Sequence, residues 1–109
     1  MYLKLKLDNW DKLKFEVNNM QKDYDHIKVE DIDIFIYGYP FNDYANSWIS
    51  ARDVYQLYSR NGINFAKDID GVYSIVILDK INKKCFVITD RYGIYTLFYF
   101  KDDNYIILS

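Results

Sequence analysis

The sequence predicts an α+β fold, a mostly antiparallel β-sheet with one main helix. β-rich runs separated by polar or Gly-containing breaks fill the chain from Asp70 to Ser109. The run from Val72 to Leu78 is apolar almost throughout, which predicts a strand covered on both faces. A segment opened by Ser50 carries the capping pattern and the apolar spacing of a helix.

Length and composition indicate a single domain over residues 1–109, with one modest hydrophobic core. Half of the residues are hydrophobic, which argues against disorder. The net charge of −2 argues against nucleic acid as a partner, because phosphate binding needs a basic surplus. We therefore interpret the 12 tyrosines as cover for half-buried sheet surface and not as base-stacking groups.

Targeting features are not found in the sequence. It contains no signal peptide and no apolar run of membrane-spanning length, so we expect a cytoplasmic protein without a membrane partner. The lone cysteine excludes an internal disulfide.

Two short alternating segments open the chain. Tyr2 to Leu7 alternates Leu with Lys, and Leu13 to Val17 alternates again, which predicts a β-hairpin. A helix remains the alternative, because one helical stripe would also hold Trp10, Leu13, Val17 and Met20. Asn18 to Asp25 is predicted to be a polar loop.

The middle of the chain is predicted to pass from strand to helix. Ile27 to Phe41 is β-rich, strongest from Ile34 to Tyr39, with Pro40 as the expected stop. Asn42 to Trp48 has no regular pattern. Ser50 and Asp53 then form a capping box, Gly62 is placed to end the helix in the left-handed conformation, and the buried stripe consists of Val54, Leu57 and Tyr58.

The remaining segments are predicted to be a short connector and a meander. Ile63 to Ile69 is long enough for one helical turn. Four β-rich runs follow, which predict an antiparallel meander: Asp70 to Asp79, Cys85 to Asp90, Thr96 to Lys101 and Tyr105 to Ser109.

The order of these motifs resembles the glutaminase domain of asparagine synthetase and its relatives, which are class II glutamine amidotransferases. Asp70-Gly71 through Asp79 is similar to the family's Asp-Gly strand, and Asp90-Arg91-Tyr92-Gly93-Ile94 is similar to its Asp-Arg-x-Gly-Ile turn. The resemblance extends from about Ile34 to Ser109. It implies a reduced version of the αββα sandwich of N-terminal-nucleophile (Ntn) hydrolases, with one face of the sheet left exposed for a partner to cover.

The resemblance also implies a reactive site, and this sequence departs from it. The family attacks the glutamine amide with an N-terminal cysteine, whereas Tyr2 follows Met1 here. The family's Asn-Gly-Glu-x-Tyr-Asn motif supplies an oxyanion donor. In the corresponding stretch Gly38 and Asn42 keep their places, Tyr37 replaces the donor Asn, and Tyr39 replaces the Glu.

Two substrate-binding groups of the family are replaced as well. Ala51 stands where an acidic residue would pair with the glutamine amine, and Arg52 beside it would repel that amine. No Arg precedes Ile34 to bind the carboxylate. We therefore predict no catalytic residue, no cofactor and no metal, with a remnant pocket formed by Tyr37, Gly38, Tyr39 and Asn42.

Three other groups could be functional or structural. Cys85 lies within a predicted strand, where a buried structural thiol is favoured over a nucleophile. His26 is placed in an acidic loop without metal-ligand spacing, so a solvated loop is favoured over a metal site. Asp90, Arg91 and Gly93 are predicted to form a structural turn.

These observations predict a catalytically inactive glutaminase-like domain that acts as a scaffold or regulatory partner. The expected partner is an asparagine-synthetase-like, ATP-dependent amide-forming domain or subunit, or a second copy of the chain. Two alternatives remain open at this point. One is a small standalone binding or inhibitor protein that kept only the fold, and the other is a component of an active amidotransferase.

Overall fold

The computed structural model describes the backbone of residues 2–5, 24–42, 46–90, 99–101 and 106–108, and the side chains of residues 25–42 and 46–90. One α-helix and eight strands occur in these ranges. Their bounds are β1 Tyr2–Leu5, β2 Tyr24–Val29, β3 Ile32–Asn42, β4 Ser47–Trp48, α1 Ala51–Asn61, a 3₁₀ segment Gly62–Asp68, β5 Asp70–Asp79, β6 Lys84–Thr89, β7 Tyr99–Lys101 and β8 Ile106–Leu108.

The strands form two sheets in which every described pair is antiparallel. The main sheet has six strands in the order β1-β6-β5-β3-β2, with β4 added to β3. Strands β7 and β8 pair only with each other in a second, two-stranded sheet. The predicted α+β class and antiparallel sheet are confirmed. The predicted four-strand meander is wrong, because the second neighbour of β6 is β1 from the start of the chain. A sequence pattern indicates strands but does not choose their neighbours.

Both faces of β5 are buried, as the apolar run predicted. On one face Ile75 and Ile77 pack in the core beneath Val54 of α1 and Phe65 of the 3₁₀ segment. On the other face the residues that alternate with them are also buried, namely Ser74, Val76 and Leu78. The predicted cover on both faces of this strand is confirmed, and the expectation of a sheet face left exposed for a partner is wrong for β5.

Helix α1 begins where the capping box places it. Ser50 accepts from the backbone N–H of Asp53, and the Asp53 carboxylate accepts from the Ser50 N–H, so the predicted box is confirmed. The helix ends at Gly62, whose φ of 61° is positive as expected but whose ψ of −149° lies outside the left-handed helical region. The connector is a seven-residue 3₁₀ segment, longer than the single turn predicted.

The segment before α1 differs from the prediction in three places. Asp25, predicted to lie in a polar loop, lies in β2. The predicted β-rich stretch from Ile27 to Phe41 is divided into β2 and β3 by a turn at Glu30 and Asp31. Pro40 does not stop β3, which continues to Asn42. Ser47–Trp48, predicted to be irregular, forms β4.

Pro40 is tolerated within β3 because of where its backbone points. Its carbonyl oxygen accepts from the Ile49 N–H at 3.0 Å. In an antiparallel ladder the N–H and C=O of one residue face the same neighbour, so the nitrogen of Pro40 faces away from β5. The missing donor therefore removes no hydrogen bond from the β3–β5 pairing.

The first predicted strand is confirmed at Tyr2–Leu5, which pairs with β6. The proposed partner strand Leu13 to Val17 and the helical alternative lie outside the described residues. Within the described part of the chain, no helix is long and apolar enough to cross a membrane.

Candidate functional site

The four residues expected to line a remnant pocket all lie on β3, but on different faces. Side chains alternate along a strand, so Tyr37 and Tyr39 share one face while Gly38 and Asn42 share the α1 face. Tyr37 is buried, whereas Tyr39 is 61% exposed. The structure therefore divides these four residues between the two faces of one strand.

Two glycines with positive φ lie where β3 and β5 meet. Gly38 has φ 87° and pairs with Tyr73, and Gly71 has φ 104° and pairs with Pro40. A Cβ atom on Gly71 would clash with the backbone carbonyl oxygen of Tyr39. The Asp-Gly motif at the start of β5 therefore has a steric reason, because only glycine permits this backbone approach.

The start of α1 is closed by a carboxylate from β2. The backbone N–H of Ala51 donates to Asp25 Oδ2 at 2.8 Å, in addition to the capping box of Ser50 and Asp53. Ala51 itself is 1% exposed, so its methyl group belongs to the core. The N–H groups of Ala51 and Asp53 at this helix start thus have acceptors within the domain, and position 51 offers no side-chain carboxylate.

Sequence reasoning missed Asp25 because it assigned the residue to a loop. The signal that could have found it is the alternation of Asp25, Ile27 and Val29 with His26 and Lys28, which places Asp25 on the same face as two apolar residues. That face of the sheet is the one on which α1 packs.

Three aromatic side chains form an exposed cluster, here called the aromatic patch, on β3 and β4. The ring of Trp48 makes edge-to-face contacts with Phe41 at 5.1 Å and with Tyr39 at 6.1 Å between centroids. Trp48 is 67% exposed, and Phe41 is half-buried. Two of the three exposed large hydrophobic residues in the described part of the chain, Tyr39 and Trp48, are therefore in contact with each other.

A buried carboxylate joins α1 to the turn between β5 and β6. Asp79 accepts from the Tyr58 hydroxyl at 2.7 Å, from the Asn82 N–H at 2.9 Å and from Asn82 Nδ2 at 2.8 Å. Burial alone would raise the pKa of Asp79, but the hydrogen bonds from Asn82 and Tyr58 bring its pKa below the usual value. Burial, and then the adjacent Asp79, raise the pKa of Tyr58 above its usual range, so its hydroxyl remains a donor. This arrangement holds a turn and a helix together and contains no reactive nucleophile.

Asp90 also makes a structural contact with β5. Its N–H donates to the Tyr73 carbonyl at 3.0 Å, and its carboxylate accepts from the Tyr73 N–H at 3.4 Å. The side chain is buried. A residue that anchors a turn to a strand would make contacts of this kind. The other two residues of the predicted turn, Arg91 and Gly93, lie outside the described residues.

Cys85 and His26 occupy strands. Cys85 is fully buried, and burial raises the pKa of its thiol to about 12. His26 lies in β2 and not in the predicted loop, with Nε2 at 2.9 Å from Asp33 Oδ1 and its ring stacked on Phe35 at 4.1 Å. Among the described side chains, no group of three or more His, Cys, Asp or Glu could hold a metal ion.

Fold and site together define a small α+β domain in which a doubly capped helix precedes a buried Asp-Gly strand. The family model of the glutamine amidotransferase domain matches residues 42–109, and the chain belongs to this family. The resemblance extends from about Ile34, so its first part, Ile34 to Phe41, lies before the matched range.

One curated relative is asparagine synthetase [glutamine-hydrolyzing] 2 of Bacillus subtilis (strain 168). It is 48% identical over 46 residues, which are 42% of this chain and 6% of that protein. The matched segment is thus a small part of the relative's length. No solved structure matches the chain.

Proposed function

We propose that this domain does not hydrolyse glutamine and acts as a scaffold or regulatory partner of an asparagine-synthetase-like, ATP-dependent amide-forming enzyme. Membership of the glutamine amidotransferase family and the relative's name give the class of enzyme. The structure of the helix start and of β3 supports a role without hydrolysis.

The start of α1 is the observation that carries the proposal. The family resemblance implies an acidic side chain there to pair with the glutamine amine, and Ala51 provides only a buried methyl group. Asp25 approaches the same point, but its Oδ2 accepts from the Ala51 N–H and so serves the helix. Arg52 is exposed next to it and adds a positive charge, which would repel an amine.

Neither the thiol of Cys85 nor the side chain of Tyr37 is placed to take part in nucleophilic attack on glutamine. Cys85 is the sole thiol among these 109 residues, and it is buried with a raised pKa. A thiolate attacks an amide carbon, and a buried thiol that stays protonated is a poor nucleophile. Tyr37, which replaces the oxyanion donor of the family, is buried in β3 on the face opposite α1.

The aromatic patch is the surface that we assign to the partner enzyme. Tyr39 and Trp48 are the most exposed large hydrophobic side chains of the described residues, at 61% and 67%. Aromatic residues are enriched at the energetically important centres of protein interfaces. A synthetase-like domain that covers this patch would shield both rings from water.

Ammonia release tests the absence of hydrolysis. The purified protein is incubated with glutamine, and the ammonia formed is compared with that from glutamine alone and from the Cys85→Ser variant. We expect the same background in all three. Release above background from the wild-type protein would overturn the proposal, and its loss in Cys85→Ser would identify the thiol as the reactive group.

Binding to the enzyme is a separate measurement. An asparagine-synthetase-like enzyme from the same genome is titrated with the domain by calorimetry. We expect binding that Trp48→Ser and Tyr39→Ser each weaken at least tenfold, because both remove an aromatic anchor. Gln56→Ser is the control, since Gln56 is also exposed but lies on α1, outside the aromatic patch. No binding, or equal loss in the control, would contradict the proposed partner or surface.

A further inference from the structure

Two turns of opposite charge lie side by side at one end of the main sheet. The first, here called the acidic turn, joins β2 to β3 and consists of Glu30 and Asp31. The second, here called the basic turn, joins β5 to β6 and carries Lys80, Lys83 and Lys84. The Lys80 N–H donates to the Asp31 carbonyl oxygen at 3.0 Å, which fixes the two turns next to each other.

The charged side chains of these turns are available to a partner. Glu30, Asp31, Lys83 and Lys84 are exposed, and Lys80 is half-buried. Within the described side chains, no ion pair joins the acidic turn to the basic turn. Exposed charges of both signs therefore lie next to each other on one surface.

An exposed apolar side chain lies within the same surface. Ile81, in the basic turn, is 54% exposed, and it is the one exposed large hydrophobic of the described residues outside the aromatic patch. Asp79 and Asn82 hold the backbone of this turn through two hydrogen bonds, so Ile81 is presented on a well-fixed loop. The surface thus combines an apolar contact with flanking charges, as interfaces do.

We propose that this end of the sheet binds the same end of a second copy of the chain. A twofold axis perpendicular to the sheet and passing between the two turns brings each acidic turn onto the basic turn of the other copy. A surface that carries both signs of charge side by side is complementary to itself under this rotation, whereas a partner of a single charge would be repelled by one of the turns.

The expected dimer is weak and sensitive to salt. Exposed ion pairs contribute little individually and are screened by dissolved ions. The contact is formed by two short turns, which places it among small, transient interfaces. This inference does not depend on the proposed function, because it concerns the end of the sheet and not the start of α1 or the aromatic patch.

Sedimentation velocity of the purified chain over a wide concentration range tests the dimer. We expect reversible dimerisation at low salt that is lost in about 1 M salt, where the Debye length is roughly 3 Å. Glu30→Lys and Lys83→Glu should each weaken association at least tenfold, since each places like charges across the interface. The double variant E30K/K83E should restore much of it, because the new lysine of each copy then faces the new glutamate of the other and this pair of opposite charges is re-formed in reverse.

A pair of charge changes at the other end of β5 is the matched control. Lys67 and Asp68 are exposed at the end of the 3₁₀ segment, so Lys67→Glu and Asp68→Lys should leave association unchanged. A wild-type protein that is monomeric at every concentration in low salt would overturn the proposal. So would a dimer that survives both single changes, or a double variant that associates no better than the singles.

Discussion

The hydroxyl of Tyr58, on α1, donates a 2.7 Å hydrogen bond to the carboxylate of Asp79, at the end of β5. The two residues are 21 positions apart in the chain, and Asp79 is fully buried. The ring of Tyr58 also makes an edge-to-face contact with Phe86 of β6 at 6.1 Å between centroids. One side chain thus fixes the end of the helix to both strands of the β5–β6 hairpin.

Removing this hydroxyl should lower the stability of the domain. Tyr58→Phe keeps the ring contact and deletes a hydrogen bond to a charged acceptor, so we expect the free energy of unfolding to fall by about 1.5–3 kcal/mol. Urea denaturation measures it. Tyr55→Phe is the matched control, because Tyr55 packs on the same core from the same helix and should change stability by less than about 0.5 kcal/mol. Equal losses in the two variants would show that the bond to Asp79 adds nothing.

The same carboxylate should make stability depend on pH in the acid range. The pKa of Asp79 is lower in the folded protein than its usual value, which is about 3.9 in an unfolded chain. The hydrogen-bonded carboxylate therefore stabilises the fold above about pH 4, and this contribution is lost as the pH falls through the lower, folded pKa.

Asp79→Asn tests this dependence. Unfolding free energies of the wild type and the variant should differ by a constant amount at neutral pH, and the difference should shrink below about pH 4. Asp68→Asn, a change at an exposed carboxylate, controls for the general effect of acid on the chain. A difference that stays constant down to the acid transition would be evidence against the lowered pKa.

Two caps from different parts of the chain should stabilise α1. Ser50→Ala removes the box with Asp53, and Asp25→Ala removes the acceptor of the Ala51 N–H. Each change should lower the free energy of unfolding by about 1 kcal/mol, because it leaves a helix N–H without its partner. Gln56→Ala, at an exposed position within the helix, should be nearly neutral. The proposed contribution of β2 to the helix start fails if Asp25→Ala is as neutral as Gln56→Ala.

The features that the sequence predicted well are those encoded by neighbouring residues. The capping box joins residues three positions apart, and the two-sided burial of β5 follows from its continuous apolar run. The position of Gly62 at the end of α1 also follows from neighbouring residues, whereas its ψ angle differs from the predicted left-handed value. Local patterns state which conformation a segment prefers, so elements of this kind could be placed from the sequence alone.

Contacts between distant segments could not be predicted in this way. Asp25 and Ala51 are 26 positions apart, and no local pattern indicates that the carboxylate of one meets the amide of the other. The pairing of β1 with β6 joins the start of the chain to residues 85–88. The predicted stop at Pro40 is wrong, because its tolerance in β3 depends on the direction of its carbonyl toward Ile49, which only the assembled sheet defines.

The thiol of Cys85 should be unreactive in the folded protein. Its pKa is raised to about 12, against about 8.5 for a free thiol, so the thiolate fraction at pH 8 falls roughly 10³-fold. Burial adds a steric barrier to any reagent. Reaction with an aromatic disulfide reagent, followed by absorbance, should be slow in buffer and fast in concentrated urea.

A control thiol makes this measurement specific. Ser59→Cys in a Cys85→Ser background places one cysteine on an exposed position of α1, and it should react rapidly without urea. If Cys85 in the folded wild type reacted at the rate of this exposed thiol, the described burial of β6 would be wrong.

Gly71 should tolerate replacement by alanine less well than Gly62. Gly71→Ala meets two penalties, a φ of 104° and a clash of the new Cβ with the Tyr39 carbonyl oxygen. Backbone strain alone costs about 1–3 kcal/mol at such positions. Relief of the clash would require β3 and β5 to separate where Pro40 pairs with Gly71. We expect a loss larger than that range, sufficient to unfold a domain of marginal stability.

Gly62→Ala separates the two penalties. Gly62 has a φ of 61°, but nothing lies within 4 Å of an added Cβ, so only the backbone strain applies. This variant should remain folded and lose about 1–3 kcal/mol in urea denaturation. Circular dichroism of both variants then decides the point. If Gly71→Ala were as stable as Gly62→Ala, the close approach of the β5 backbone to Tyr39 would not be the reason for glycine in the Asp-Gly motif.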